Sequence, residues 1–161
     1  MADNTQTNTA PAEPIVINGQ YIKDLSFEAP NAPAIFSKLQ STQPELDVSV
    51  DLGVAKMDGS DSTYEVTLSL GAKMKVAEEA GFVLELKYAG VFTLNVPEEH
   101  IAPTLMIECA RLLFPYARNI ISGVTRDGGF VPLTLQPIDF VALYQRRQNE
   151  QANKGQPAAN A

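Results

Sequence analysis

The chain reads as an α+β domain: a sheet of about four antiparallel strands with helices packed on one side. Three observations predict it. Between Leu46 and Leu94 apolar and polar residues alternate with period two, as expected of strands with one buried and one solvated face. After Val96 the apolar spacing changes to i, i+3, i+4, the repeat of an amphipathic helix. The chain has 161 residues, 45% of them hydrophobic, which suffices for one domain with its own core.

Taken in order, Met1 to about Pro14 is polar and rich in Pro, Ala and Thr. It cannot bury enough apolar area to offset chain entropy and is expected to be disordered. The folded unit spans about 15–148. A first strand runs from about Gln20 to Glu28, followed by SFEAPNAP, Ser26 to Pro33. Its two prolines fix φ and push the residue before each towards extended geometry, so an extended connector is expected. Leu46, Val48, Val50, Leu52 and Val54 then alternate with polar residues, and Asp58-Gly59-Ser60-Asp61 turns the chain. Alternation resumes from Tyr64 to Val76, and Glu79-Ala80-Gly81 is read as the next turn, into Phe82 to Leu94.

Pro97-Glu98-Glu99 opens the helical part, with carboxylates at the positive end of the helix dipole. Leu105, Met106, Cys109, Leu112, Leu113, Tyr116, Ala117, Ile120, Ile121 and Val124 form its apolar stripe. Pro115 lies within it and predicts a kink or a break. Asp127-Gly128-Gly129 ends the helix, and Pro132 to Pro137 is an apolar extended connector. A last amphipathic helix runs from about Ile138 to Arg146-Arg147, and 149–161 is expected to be a disordered tail. So broad an apolar stripe over one wet-faced sheet exceeds what a single subunit covers, which predicts self-association.

Composition removes several classes of function. A net charge of −7 disfavours nucleic acid and anionic membrane surfaces, whose affinity comes from Lys and Arg. The same charge suits docking to a basic partner. A single cysteine, Cys109, permits no intrachain disulfide and no cysteine cluster for zinc. The first residues lack the basic and apolar regions of a secretory signal, and no run approaches the roughly 18 apolar residues of a membrane span, so a cytoplasmic address is expected. His100 is the only histidine, with no nucleophile elbow beside it, and reads as a surface helical residue rather than a catalyst. Cys109 falls among apolar neighbours and reads as a small core residue. The DGSD turn lacks the ligand spacing of a calcium loop, and no phosphate-cradling glycine loop is present. No catalytic residue, metal site or cofactor is expected.

SFEAPNAP, LFPYAR (Leu113 to Arg118) and GGFVPLTLQPIDFVALY (Gly128 to Tyr144) together resemble the SecB family of bacterial export chaperones, over roughly Tyr21 to Tyr144. The resemblance implies a dimer of dimers, a homotetramer with the long helices between subunit sheets. It also implies an ATP-independent chaperone that holds unfolded preproteins translocation-competent and delivers them to the SecA ATPase.

In that family, acidic residues on the outer sheet face dock the basic, zinc-bearing tail of SecA, and the zinc belongs to the partner. Asp24, Glu28, Val83 and Glu85 match those positions. From sequence alone the same carboxylates read first as a solvated face. The family's groove for unfolded segments maps onto Ile35 and Phe36 in the crossover, Leu46, Val48 and Val50 on the strand, and Leu133, Leu135 and Phe140 in the connector and last helix. Each of these is also a plausible core residue. Two alternatives stay open: a ligand-binding module or small enzyme using the same groove, and an oligomeric scaffold without a client.

Overall fold

The computed structural model describes residues 10–155; the outer parts of the two expected tails, 1–9 and 156–161, lie outside the described residues. Four strands, β1 (Ile15–Glu28), β2 (Glu45–Lys56), β3 (Thr63–Val76) and β4 (Glu79–Leu94), form one sheet in the order β1-β4-β3-β2, with every neighbouring pair antiparallel. Helices α1 (Ala34–Leu39), α2 (Glu98–Pro103), α3 (Ala110–Asp127) and α4 (Phe140–Lys154) complete the chain. A π-helical stretch, Thr104–Cys109, joins α2 to α3.

The predicted alternation produces the sheet directly. Val66, Leu68, Leu70, Ala72, Met74 and Val76 on β3, with Phe82, Leu84, Leu86, Phe92 and Leu94 on β4, are all buried. Cross-strand partners share a face, so these residues form one apolar layer. Leu113, Ala117 and Ile121 of α3 are fully buried in the same core. Burying a side chain of this size contributes about 1.5–3 kcal/mol.

Several boundaries differ from expectation, each for a local reason. β1 begins at Ile15 rather than near Gln20, because bulges between Ile17 and Gly19 and between Ile22 and Asp24 reset the alternation. Just before it, the Glu13 and Pro14 carbonyls accept hydrogen bonds from Asn95, at 2.7 and 2.9 Å. The turn between β3 and β4 is Ala77-Glu78, not Glu79-Ala80-Gly81; both turn residues have positive φ, 49° and 66°. Gly81 lies within β4, where a Cβ would come 2.4 Å from the Met74 Cε atom. The crossover is compact rather than extended: Ser26 to Glu28 finish β1, a turn follows, and α1 begins directly after Pro33.

Pro115 is accommodated within an unbroken α3. The departure from α geometry falls earlier, in the π-helical stretch that follows Pro103. α4 continues past Arg147 to Lys154, so residues 149–154 are helical rather than part of a tail. Its start is capped by Asp139, whose side chain accepts from the Ala142 N–H at 3.0 Å.

Candidate functional site

The two faces of the sheet offer different chemistry. On the outer face, register places Asp24 opposite Lys87, Ser26 opposite Glu85 and Glu28 opposite Val83. The four residues singled out there, Asp24, Glu28, Val83 and Glu85, therefore share one patch across β1 and β4. Asp24, Glu28 and Glu85 are exposed and Val83 is half-buried. Among the described residues none of these three carboxylates forms an ion pair. Beside them lies a depression of about 280 Å³, bordered by Asp24, Glu85, Lys87, Ser49 and Asp51, with Gly71 at its floor. A Cβ at Gly71 would sit 2.5 Å from Ser49 Oγ, so glycine keeps the floor low.

Further along the same face Tyr21 donates its hydroxyl to Glu65 Oε2, and Lys23 Nζ lies 2.5 Å from Glu65 Oε1. The Lys23 and Tyr21 hydrogen bonds hold the Glu65 carboxyl below its usual range. The Glu65 hydrogen bond, helped by burial, pushes the Tyr21 hydroxyl up to about 12. This triad braces β1 through its second bulge, since Lys23 is the residue without a partner on β4.

On the inner face, β2 is a sheet edge, and two of its inward residues, Leu46 and Val48, remain 47% and 39% exposed. With Val50, Leu133, Leu135 and Ile138 they line an apolar groove of about 300 Å³. The connector from Val131 to Asp139 forms the other wall without regular secondary structure. It is tied down by Thr125, the one buried polar residue of the core among the described residues. The Thr125 hydroxyl donates to Ile121 O at 2.9 Å and accepts the Leu133 N–H at 2.9 Å.

Five of the eight expected groove residues thus come together: Leu46, Val48, Val50, Leu133 and Leu135. Ile35 and Phe140 lie in the core, 0% and 1% exposed, because α1 and the first turn of α4 carry them on their buried sides. Phe36 is half-buried and packs on Phe130, with ring centroids 5.1 Å apart, in a cluster that includes Phe27 and Phe82. Gly128 and Gly129 make that cluster possible: a Cβ would meet Phe27 at 2.4 Å and Phe36 at 3.1 Å respectively.

Sequence reasoning missed Thr125, whose role depends on a contact to Leu133 that no local pattern signals. It also missed a second apolar depression of about 450 Å³, lined by Val54, Tyr64, Glu98, Ile101, Ala102, Leu105 and Met106. The i, i+4 pair Ile101 and Leu105 was the available signal. Arg147 of α4 reaches Asp51 of β2 at 2.7 Å. Both side chains are substantially exposed, and such a pair is worth about 0–1 kcal/mol.

A third uncovered apolar surface lies at the opposite edge. Ile17, Ile22 and Leu25 of β1 point inward by register yet are 45%, 47% and 39% exposed. Leu112 and Tyr116 of α3 lie exposed on the same side, Tyr116 stacked on Tyr88 at 6.2 Å, opposite Ile22.

Among the described residues, no group of three or more His, Cys, Asp or Glu side chains is placed to hold a metal ion. Burial pushes the Cys109 thiol up to about 12, and Cys109 is completely buried. None of the described helices is long and apolar enough to cross a membrane.

An α+β chain with apolar grooves and a charged sheet face has the features of a binding protein of the chaperone class. Similarity defines it further. The sequence model described as preprotein translocase subunit SecB matches residues 7–151. The Protein-export protein SecB of Rhodospirillum rubrum is 48% identical over 159 residues, covering 99% of this chain and 96% of its own. That of Paramagnetospirillum magneticum is 51% identical over 154 residues, covering 95% and 98%. The SecB-like chaperone of Mycobacterium tuberculosis, solved in complex with a ChAD peptide from the HigA1 antitoxin, shares the fold. Its TM-score is 0.63 at 16% identity, covering 77% of this chain and 90% of that one. The chain belongs to the SecB family, and its function is that of a protein-export chaperone.

Proposed function

We propose that this chain holds unfolded preproteins in a translocation-competent state, without ATP and without chemical turnover, and passes them to the SecA ATPase in the cytoplasm. The observation that carries this reading is the groove between β2 and the connector, with Leu46 and Val48 open to solvent. Covering such side chains contributes roughly 25 cal/mol per Å² of apolar area. Unfolded chains expose apolar groups and folded ones hide them, so the groove needs no sequence code. The peptide complex of the mycobacterial relative supports a polypeptide occupant.

Two surfaces complete the proposal. The patch of Asp24, Glu28, Val83 and Glu85 docks the basic tail of SecA; its exposed carboxylates, which form no ion pair among the described residues, support this role. The apolar strip of Ile17, Ile22, Leu25, Leu112 and Tyr116 supports assembly into a homotetramer, a dimer of dimers.

Size-exclusion with light scattering tests the reading. The expected particle has four subunits and shifts upward with a reduced, unfolded polypeptide but not with its folded form. Indifference to the unfolded chain would refute the chaperone reading for this groove. Asp24→Lys with Glu85→Lys is expected to abolish SecA binding while client capture persists; equal SecA affinity for wild type and double variant would remove the patch from that role.

A further inference from the structure

The outer face of the sheet holds one carboxylate that the docking patch does not include. Glu65 of β3 is turned into its neighbours rather than into solvent, its side chain only 16% exposed. It accepts hydrogen bonds from the Tyr21 hydroxyl and from Lys23 Nζ, both on β1, and a longer one from Thr67 at 3.5 Å. β4 lies between β1 and β3, so both β1 side chains cross a whole strand to reach it. They pass over Ala89, which stands opposite Tyr21 on one side and Thr67 on the other. Cross-strand partners share a face, and Ala89 is 0% exposed on the solvated one, as expected of a small residue beneath a bridge.

What the bridge holds is a change of register. Ile22 is opposite Tyr88 and Asp24 is opposite Lys87, which leaves Lys23 as the extra residue of the bulge. Side chains alternate along a strand, so a slip of one residue exchanges the two faces. Without the bulge, Lys23 would stand opposite Lys87, and Asp24 and Glu28 would turn towards the core. With it, Tyr21, Asp24 and Glu28 all face outward, while Ile22 and Leu25, three positions apart, both face inward. The patch owes its carboxylates to the residue that Glu65 grips.

We propose that Glu65 is a positioning residue for the acidic docking patch: through Tyr21 and Lys23 it pins the bulge whose register turns Asp24 and Glu28 outward. This inference rests on the docking role given above for Asp24, Glu28, Val83 and Glu85. It adds a residue that, among the described residues, shares no hydrogen bond or ion pair with any of those four.

Titration calorimetry of the full chain with a zinc-loaded peptide of the basic SecA tail tests it. If Glu65 acted only as one more negative charge, Lys23→Met would strengthen binding, because it removes a cation from the face that meets a basic peptide. Positioning requires the reverse. Lys23→Met is expected to weaken binding about tenfold, as loss of one charge-assisted hydrogen bond implies, and Glu65→Ala at least as much. Glu65→Gln, which keeps an acceptor for both donors, should recover most of that loss. Ala89→Leu obstructs the crossing without altering any charge and should match Lys23→Met. Capture of a reduced, unfolded polypeptide at the β2 groove should stay within about twofold of wild type in each. Variants on three different strands, each checked for native circular dichroism, guard against simple misfolding. If Asp24→Lys with Glu85→Lys abolishes binding but Lys23→Met and Ala89→Leu bind as tightly as wild type or more tightly, the positioning role is wrong and the patch stands. If that double variant binds like wild type, the docking reading falls and the positioning role falls with it.

Discussion

The two edges of the sheet start from the same pattern and end differently. β1 and β2 both carry apolar residues on their inner side that the helices leave uncovered: Ile17, Ile22 and Leu25 on one, Leu46, Val48 and Val54 on the other. What stands opposite separates them. Beside β1 the wall is α3, a rigid helix presenting Leu112 and Tyr116. Beside the first half of β2 it is the connector, with no regular structure and tied down through Thr125. A rigid, shape-defined apolar face suits one fixed partner, and a second copy is the partner proposed for it. A face walled by irregular chain adapts to many occupants. Alternation alone makes an edge sticky; its neighbour determines how selective the edge is.

The largest test breaks the β1 side. Ile22→Asp is expected to weaken self-association by about 100-fold, since it replaces an apolar contact of roughly 1.5–3 kcal/mol with a charge that must be desolvated. Light scattering would show a smaller particle. Unchanged mass across the dilution range would mean that the strip is not the interface.

The β2 side can be loosened without touching its apolar residues. Thr125→Val keeps the shape but leaves the Leu133 N–H without its acceptor. The expected cost is about 2 kcal/mol, roughly 6 °C in Tm for a chain of this size. Weaker client capture should accompany it, because the connector wall is freed. A melting temperature equal to wild type would show that the tie is dispensable.

A change remote from both edges serves as a control. Ala77 and Glu78 hold positive φ without being glycine or asparagine, a conformation that costs about 1 kcal/mol per residue. Replacing them with Asn-Gly is expected to raise stability by about 1 kcal/mol, roughly 3 °C, with particle mass and client capture unaltered. A fall in Tm would contradict the strained-turn argument.

The smallest effect concerns the brace on the outer face of β1. Tyr21 keeps its proton to about 12 in the folded chain against 10.0 for the unperturbed group. The unfolded chain therefore loses that proton first, so this contribution is complete below pH 10.0 and disappears as pH rises towards 12. Tyr21→Phe should show a shallower loss of Tm across that window. Parallel curves for the two proteins would mean that Glu65 does not hold the hydroxyl in solution.

How much of this was legible in the sequence follows the same physics. Strands β2, β3 and β4 were plain because a sheet with one solvated face writes its burial into period two. The start of β1 was hidden because Asn18 and Lys23, left unpaired at bulges, break that period. The end of α4 was hidden for another reason. Gln148 to Lys154 contains no proline or glycine before Gly155 but is polar all round, so no stripe signals the helix. Strand register brings Asp24, Glu28, Val83 and Glu85 together on the outer face, though family resemblance and not the local pattern singled them out. Five of the eight residues matched to the groove line one depression. Nothing in the local pattern of Ile35 or Phe140 distinguishes an apolar side chain that lines a surface from one sealed beneath it. That distinction depends on which helix closes over which residue, a matter of tertiary packing.

The depth of Cys109 has a practical consequence. A thiol reacts through its thiolate, and this one is both completely enclosed and held at about 12. At neutral pH the native chain should be silent towards maleimide dyes. A cysteine introduced at Val131, which is 87% exposed at the start of the connector, would then be the one reactive thiol in the folded protein. A fluorophore there would report the arrival and departure of a polypeptide in real time, with no need to remove the natural cysteine first.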